Sequence, residues 1–184
     1  MKELEDLLPP ERIEELVSIG QIRSVRTNEY FIREGEIPKK LGFIVSGLFR
    51  YVYITNKGVE FTKGIITEKN FIVSYSAMIA GSYSHFFIEA LEDSEVLEIP
   101  YERWKTLMEA DYFWVRFLLA LVEKGFSVKE KRERDLLLLN AETRYMNFLK
   151  EFPSMEERIQ QTIISSYLGI QPESLSRIRK KMRT

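Results

Sequence analysis

The chain has 184 residues, of which 45% are hydrophobic and 30% charged, an ordinary composition for a soluble globular protein with one large or two small domains. It has no cysteine and a single histidine, His85, which excludes disulfides, thiol nucleophiles and metal sites built from several Cys or His ligands, so we expect no cofactor and no metal. Because no apolar stretch approaches the roughly 20 residues that cross a bilayer, and the start MKELEDLLPPERIEEL is unlike a targeting peptide, we expect a cytoplasmic protein with no membrane partner.

The first hundred residues change from a helical pattern to a strand pattern. Apolar residues at helical spacing predict helices within 2–19, with Pro9 and Pro10 near the start of the second. Short segments rich in aromatic and β-branched residues follow, and the strands are expected at 41–55, 59–66, 85–91 and 95–99. Asn56-Lys57-Gly58 supplies a hairpin loop. Many short strands joined by glycine turns predict a closed antiparallel barrel or a sandwich.

A long helix is expected next, from Asp111 to about Leu139, roughly 44 Å long at 1.5 Å per residue. Its first half is apolar nearly all round, so it needs more than one packing partner. Either these residues form only the chain's own core, or one stripe faces the same helix of a second subunit, which predicts a homodimer. That predicted dimer interface consists of Trp114, Leu118, Leu121, Gly125 and Val128. The charged run KEKRERD, residues 129–135, is interpreted as an exposed face.

The C-terminal segment predicts helices at 141–151, 159–168 and 172–182, of which the last two form the stretch QQTIISSYLGIQPESLSRIRKKM. Gly169 can end the first helix of this stretch in the left-handed conformation, and Pro172 can start the second. The inward-facing residues are Ile163, Ile164, Tyr167 and Leu168 of the first helix and Leu175, Ile178 and Met182 of the second. Two short helices joined by so tight a turn indicate a helix-turn-helix.

The second helix of this stretch has a polar front and a basic back. Residues 141–184 contain eight Lys and Arg against five acidic residues, a net charge of +3, whereas the preceding residues carry −4. Polar groups at the front of such a helix can read base edges and cations behind can hold phosphates, so we expect double-stranded DNA as the partner. The alternative is a basic helix whose charges only complement its dipole. The predicted base-contacting residues are Gln171, Glu173, Ser174, Ser176 and Arg177, and the predicted phosphate-contacting residues are Arg179, Lys180, Lys181 and Arg183.

Barrel, long helix and terminal helix-turn-helix together resemble the Crp/Fnr family of bacterial transcription regulators, over nearly the whole chain. FIREGEIPKKLGFIVSGLFRYVYITNKGVEF, residues 31–61, is similar to the family's effector barrel, and SSYLGIQPESLSRIRKK is similar to its DNA-binding end. The resemblance implies an α+β fold with an N-terminal antiparallel jelly-roll β-barrel of the cyclic-nucleotide-binding type (1–110), a long dimerisation helix (111–139) and a C-terminal helix-turn-helix domain (140–184).

The same resemblance implies a homodimer on a palindromic operator, with RNA polymerase as a further partner, and with Glu173 accepting from cytosine and Arg177 donating to guanine. Two positions depart from the family pattern: Ser165 stands where an alanine usually packs the two helices, and Pro172 where some members have another base-contacting side chain. The sequence given ends two residues after Met182, so we expect no β-hairpin wing and fewer phosphate contacts.

The effector pocket of cyclic-nucleotide-binding relatives has an arginine on the phosphate and a glutamate on the ribose. Laid without gaps on residues 70–91, the four pocket positions become Val73, Ser74, Ser84 and His85, and this stretch contains no Lys or Arg. We therefore expect that cyclic AMP is not the effector. The Ser- and Tyr-rich stretch suits either a pocket for an uncharged small-molecule effector or a barrel that serves only as a scaffold. The predicted pocket residues are Val73, Ser74, Ser76, Tyr83, Ser84 and His85.

These features are compatible with three functions to different degrees. The leading one is a homodimeric, sequence-specific DNA-binding transcription regulator with a degenerate effector barrel. The alternative is a ligand-sensing signalling module whose C-terminal helices bind a protein partner, which the modest charge of +3 favours. A cupin-like enzyme would need a metal held by several His and carboxylate ligands, which one histidine does not supply, so we expect no enzymatic activity.

Overall fold

The computed structural model of the chain describes residues 2–182, which divide after Asp111 into two compact units. The first unit contains a 3-10 helix at Lys2–Leu4 and the strands β1 Gln21–Val25, β2 Tyr30–Ile32, β3 Lys40–Ser46, β4 Phe49–Ile54, β5 Glu60–Ile66, β6 Phe71–Ile72, β7 Phe87–Ala90 and β8 Ser94–Pro100. Its α-helices are α1 Pro10–Ser18, α2 Tyr75–Ala80 and α3 Tyr101–Ala110. The second unit contains α4 Tyr112–Leu138, α5 Ala141–Glu151, α6 Met155–Arg158, α7 Gln161–Leu168 and α8 Pro172–Met182. The predicted three-part division at 110 and 139 stays a prediction.

The strands form two four-stranded sheets, in the orders β1-β8-β3-β6 and β2-β7-β4-β5, and their pairing is antiparallel. One apolar core joins the two sheets because alternate side chains of each sheet point to the other. The core residues are Val25, Ile44, Ile72 and Val96 of the first sheet and Phe31, Ile32, Phe49, Ile88 and Ala90 of the second, with Phe86 beside them. The α+β fold with an antiparallel barrel and C-terminal helices is therefore confirmed.

Two glycines allow the tight turns that flank β4. Gly58 closes the predicted hairpin loop with a φ of +75°, and its N–H donates to the Thr55 carbonyl at 2.8 Å. Gly47 joins β3 to β4 with a φ of +107°. A Cβ atom at Gly47 would lie 2.0 Å from the Ser94 Oγ, whereas a Cβ at Gly58 would meet no atom within 4 Å. Both positions need glycine for the backbone, but only Gly47 also needs it for space.

Gly47→Ala is expected to lower the free energy of unfolding by about 2–4 kcal/mol, because it adds a steric clash with Ser94 to the strain of positive φ. Gly58→Ala carries only the strain and is expected to cost about 1 kcal/mol. Urea denaturation of the two variants beside the wild type measures the difference. Equal losses for the two variants would show that the close approach to Ser94 carries no cost.

Two short helices lie where the sequence predicts none. The helix α2 occupies Tyr75–Ala80 inside the predicted pocket stretch and ends at Gly81, which adopts a left-handed φ of +60°. The four-residue α6 occupies Met155–Arg158, so the helix predicted at 159–168 starts only at Gln161. The strand predicted at 85–91 is shorter, at Phe87–Ala90. Isolated segments of four to six residues carry too few apolar positions for their period to be recognised.

Within residues 2–182, no helix has the combined length and hydropathy of a membrane-spanning segment. The same residues contain no group of three or more His, Asp or Glu side chains arranged to hold a metal ion.

Candidate functional site

The predicted helix-turn-helix is formed by α7 and α8. Gly169 ends α7 in the left-handed conformation, with φ +64° and ψ +39°. Its own N–H donates to the Ser166 carbonyl, and the Ile170 N–H donates to the Ser165 carbonyl at 3.0 Å, which is the double closure of a Schellman motif. Pro172 is the first residue of α8, where its missing N–H has no helical partner to lose. Both turn predictions are confirmed.

The inner faces of α7 and α8 bury apolar side chains together with one serine. Ile164, Tyr167 and Leu168 are buried on α7 and Leu175 on α8, whereas Ile163 and Ile178 are half-buried and Met182 is 44% exposed. Ser165 is also buried, and its hydroxyl donates to the Thr162 carbonyl at 2.9 Å. The buried serine therefore satisfies its polar group within its own helix.

The exposed side of α8 carries the residues predicted to read bases. Glu173, Ser176, Arg177 and Lys180 are exposed and lie at positions i, i+3, i+4 and i+7, so they share one face. We call these four residues the outer face of α8. Gln171 is exposed just before the helix, and Ser174 is half-buried. Of the five predicted base-contacting residues, the structure thus places Glu173, Ser176 and Arg177 side by side, with Gln171 and Ser174 at the margin.

Two of the predicted phosphate-contacting residues have acidic partners within the chain. The Arg179 Nη2 lies 2.6 Å from the Glu156 Oε1, and its Nη1 donates to the Gln161 Oε1 at 3.3 Å. The hydroxyl of Tyr145 donates to the same Glu156 carboxylate.

The Lys181 Nζ lies 2.9 Å from the Glu142 Oε2, in a pair that is largely exposed. Lys180 lies on the outer face of α8, whereas the predicted contact Arg183 falls outside the described residues. Arg179 therefore holds α8 against α6 and α7, and the exposed cations of α8 are Arg177, Lys180 and Lys181.

The predicted effector residues do not converge on one place. Ser74 and Ser84 are buried, and the Ser84 Oγ lies 2.9 Å from the Ser74 Oγ and donates to the Phe86 carbonyl at 2.8 Å. Val73 is half-buried, and its N–H donates to the Tyr51 hydroxyl at 3.2 Å. Ser76, Tyr83 and His85 are exposed. The two buried serines bond internally, which favours the scaffold interpretation for this part of the barrel.

Lys63, which lies outside residues 70–91 in sequence, is close to two aromatic residues that bond to this stretch or belong to it. The Lys63 Nζ on β5 is 3.8 Å from the centroid of the Phe86 ring and 5.7 Å from that of Tyr51. Burial raises the pKa of the Tyr51 phenol to about 12, so this ring stays neutral. In the sequence, the one indication of this position is a lysine within a predicted strand that also contains the apolar residues Ile65 and Ile66. Lys63 therefore lies against aromatic rings next to the predicted pocket residues, a favourable cation–π arrangement.

The long helix α4 exposes an apolar stripe that differs from the predicted one. Trp114 is fully buried within the single chain, and Leu118 and Leu121 are half-buried, so these three residues of the predicted interface are mostly withdrawn from solvent. Gly125 and Val128 are exposed. In the first half of α4, five exposed large apolar residues follow heptad spacing one position further along, at Tyr112, Val115, Leu119, Val122 and Phe126. We call these five residues the α4 stripe.

The sequence is similar to known proteins over both units. Residues 22–111 match the cyclic nucleotide-binding domain family. The chain is 27% identical over 179 residues to the transcriptional activator protein Anr of Pseudomonas aeruginosa. The alignment covers 90% of this chain and 71% of that protein. The order of a cyclic nucleotide-binding domain followed by C-terminal helices is therefore matched by a transcriptional activator over most of the chain.

Solved structures give the same fold. The c-di-GMP responsive global regulator CLP of Xanthomonas campestris superposes with a TM-score of 0.78 at 18% identity, covering 95% of this chain and 92% of that one. FixK2 of Bradyrhizobium japonicum gives 0.78 at 19% identity, covering 90% and 85%. A Crp/Fnr family regulator of Eubacterium rectale gives 0.73 at 20% identity, covering 98% and 86%. The chain is thus similar in sequence to a transcription activator and in fold to regulators of the Crp/Fnr family.

Proposed function

We propose that the chain is a homodimeric, sequence-specific DNA-binding regulator that reads its operator with the outer face of α8. The observation that carries the proposal is the grouping of Glu173, Ser176 and Arg177 on one exposed helical face, directly after a tightly closed helix-turn. A recognition helix contacts base edges with its N-terminal residues in the major groove. These three residues occupy the first turns of α8, where that contact is made.

The side chains of the outer face have the donors and acceptors that base edges require. Arg177 can donate two parallel hydrogen bonds to the O6 and N7 atoms of guanine, and Glu173 can accept from the N4 amino group of cytosine. The Ser176 hydroxyl can donate or accept. Gln171 and Ser174 are assigned marginal contacts, and Lys180 is assigned to a phosphate. Lys181 can reach a phosphate after exchanging its exposed partner Glu142, since such exposed pairs contribute little stability.

Dimerisation is proposed through the α4 stripe. Leu119 and Phe126 are 55% and 65% exposed, and apolar residues at heptad spacing on a helix of 27 residues are suited to pack against the same helix of a second copy. The interface predicted around Trp114 stays a prediction; the α4 stripe is proposed instead because Trp114 is buried within the single chain. A two-fold dimer would present two copies of α8 to half-sites about one helical turn, or 34–36 Å, apart.

We propose further that cyclic AMP is not the effector. Ser74 and Ser84 stand at two of the four pocket positions, and they form a hydrogen bond with each other instead of offering a charged partner to a phosphate. The nearby cation is Lys63, which lies against the Phe86 ring and outside residues 70–91. Cyclic AMP at about 1 mM is therefore expected to raise the melting temperature by less than about 2 °C in a thermal-shift measurement. Adenosine, which lacks the phosphate, is the control. A rise of several degrees with cyclic AMP alone would refute this part of the proposal.

Selection of bound oligonucleotides from a randomised pool tests DNA binding, operator symmetry and sequence together. The proposal expects enrichment of an inverted repeat whose half-sites contain the G·C pairs that Glu173 and Arg177 would read. Enrichment of no sequence, with salt-independent binding of a protein partner, would instead favour the signalling-module alternative. Binding of RNA polymerase and of a small-molecule effector stay predictions.

A further inference from the structure

Arg132, in the charged run near the end of α4, is not part of an exposed face. Its side chain is half-buried, and its Nη2 donates to the Tyr167 carbonyl at 2.7 Å. The guanidinium carbon also lies 3.9 Å from the centroid of the Tyr167 ring. One planar group thus makes a hydrogen bond and a cation–π contact with the same residue, the penultimate one of α7.

Aromatic packing around Tyr167 and the dipole of α7 both stabilise this contact. The Tyr167 ring is buried against Phe148 and Phe152, with centroids 5.7 and 5.9 Å away. Burial lowers the pKa of Arg132, and Tyr167 opposes that shift. The carbonyl that accepts from Arg132 is at the negative end of the α7 dipole, where a cation is stabilised.

Two further contacts join the same end of α4 to the helices that follow. The Arg144 Nη1 on α5 donates to the Leu136 carbonyl at 3.0 Å. A Cβ atom at Gly169, the turn between α7 and α8, would lie 3.2 Å from the Leu136 Cδ2. The last turns of α4 therefore contact both α5 and the turn of the helix-turn-helix.

We infer that Arg132 is the positioning residue that fixes the orientation of the helix-turn-helix relative to α4, and thereby sets the half-site spacing that the dimer accepts. This inference rests on the proposed function. The α4 stripe ends at Phe126, six residues or about 9 Å before Arg132 on one continuous helix. The proposed dimer contact and the Arg132 contact to α7 thus lie on the same helix. The orientation of each recognition helix relative to the dimer therefore depends on the contact between Arg132 and Tyr167.

Half-site spacing is the property that the contact should control. Inserting one base pair between half-sites rotates one by about 34° and shifts it by about 3.4 Å. A recognition helix held in one orientation cannot rotate to match the displaced half-site, whereas a helix without that restraint can reorient to contact it. The preference for one spacing is therefore the measurable consequence, and it differs from the affinity for a single half-site.

The test uses the full-length protein and its selected operator with the spacer lengthened or shortened by one base pair. The wild type is expected to bind the altered spacers at least about tenfold more weakly, and Arg132→Met at most about threefold more weakly than it binds the selected spacer. The matched control is Arg134→Met, two residues away on α4, whose side chain is 62% exposed and pairs with the adjacent Asp135. It is expected to keep the wild-type spacer preference.

Two more variants separate positioning from folding. Arg132→Lys keeps the charge but not the planar donor group, and Tyr167→Leu removes the ring but not the carbonyl; each is expected to give an intermediate spacer preference. Thermal unfolding identifies the variants that fold. A folded variant at Arg132 or Tyr167 that keeps the full wild-type spacer preference overturns the inference. If the wild type itself selects no inverted repeat, the proposed function fails instead.

Discussion

Arg177→Ala is expected to abolish specific operator binding while leaving the fold intact. Arg177 is exposed on the outer face of α8, so its removal leaves no cavity. A bidentate arginine–guanine pair contributes about 1–3 kcal/mol of discrimination, and a dimer loses two such pairs, which corresponds to a roughly 30-fold to more than 10⁴-fold weaker affinity. Fluorescence anisotropy with the selected operator at one fixed salt concentration measures the loss.

The matched control for this prediction is Arg103→Ala, which removes an exposed arginine from α3 and changes the net charge equally. It is expected to reduce affinity less than about twofold, since Arg103 belongs to the first unit and not to the helix-turn-helix. Glu173→Gln serves as a second probe and is expected to relax the preference for cytosine at one position rather than to weaken all sequences. The base-reading assignment fails if Arg177→Ala and Arg103→Ala behave alike.

The double substitution Leu119→Glu with Phe126→Glu is expected to convert the proposed dimer to a monomer of 21.8 kDa. Each large apolar side chain contributes about 1.5–3 kcal/mol when buried, and the two substitutions remove four such side chains from a two-fold interface. The introduced carboxylates also repel one another across it. Dimer affinity should therefore fall by more than about 10⁴-fold, which sedimentation equilibrium measures directly.

The control places the same charges one residue further along α4, at the exposed positions Ala120 and Ser127. Ala120→Glu with Ser127→Glu lies about 100° round the helix from the α4 stripe and is expected to remain dimeric. Operator affinity should follow the oligomeric state in both variants. A wild-type monomer, or equal dissociation of the two double variants, would contradict the assignment of the stripe.

The boundaries of the DNA-binding helices were predictable because local chemistry fixes them. Gly169 is needed where the backbone adopts positive φ, and Pro172 where the missing N–H costs nothing, so both ends follow from residue type alone. The loop containing Gly58 is predictable for the same reason. These features depend on single residues and not on what packs around them.

The orientation of α4 could not be predicted, because its first half is apolar nearly all round and offers two heptad registers. Trp114 belongs to one register and Val115 to the other, and only the folded chain shows that the first is buried and the second exposed. The partial burial of Arg132 and its contact with Tyr167 were not predictable for the same reason. Within a charged run nothing marks the one side chain that a distant tyrosine covers, since that depends on tertiary contacts.

The roles of the cations on α8 and of the barrel serines also depend on partners that are distant in sequence. Arg179 has the same residue type as Arg177, and only the position of Glu156 separates an anchor from a reading group. Ser74 and Ser84 suit a polar pocket in sequence, yet ten residues apart they bond to each other. Residue type limits what a side chain can bind, whereas the fold decides which partner it meets.

The ion pair between Arg179 and Glu156 also limits how many counterions the protein can displace from DNA. The steepness with which affinity falls as salt rises is set by the number of phosphates that the protein neutralises. An arginine already neutralised by Glu156 brings no net charge to the backbone, so it adds nothing to that steepness. The charge of α8 therefore overstates its nonspecific attraction to DNA. We therefore expect a shallower salt dependence than the number of basic residues on α8 alone would give.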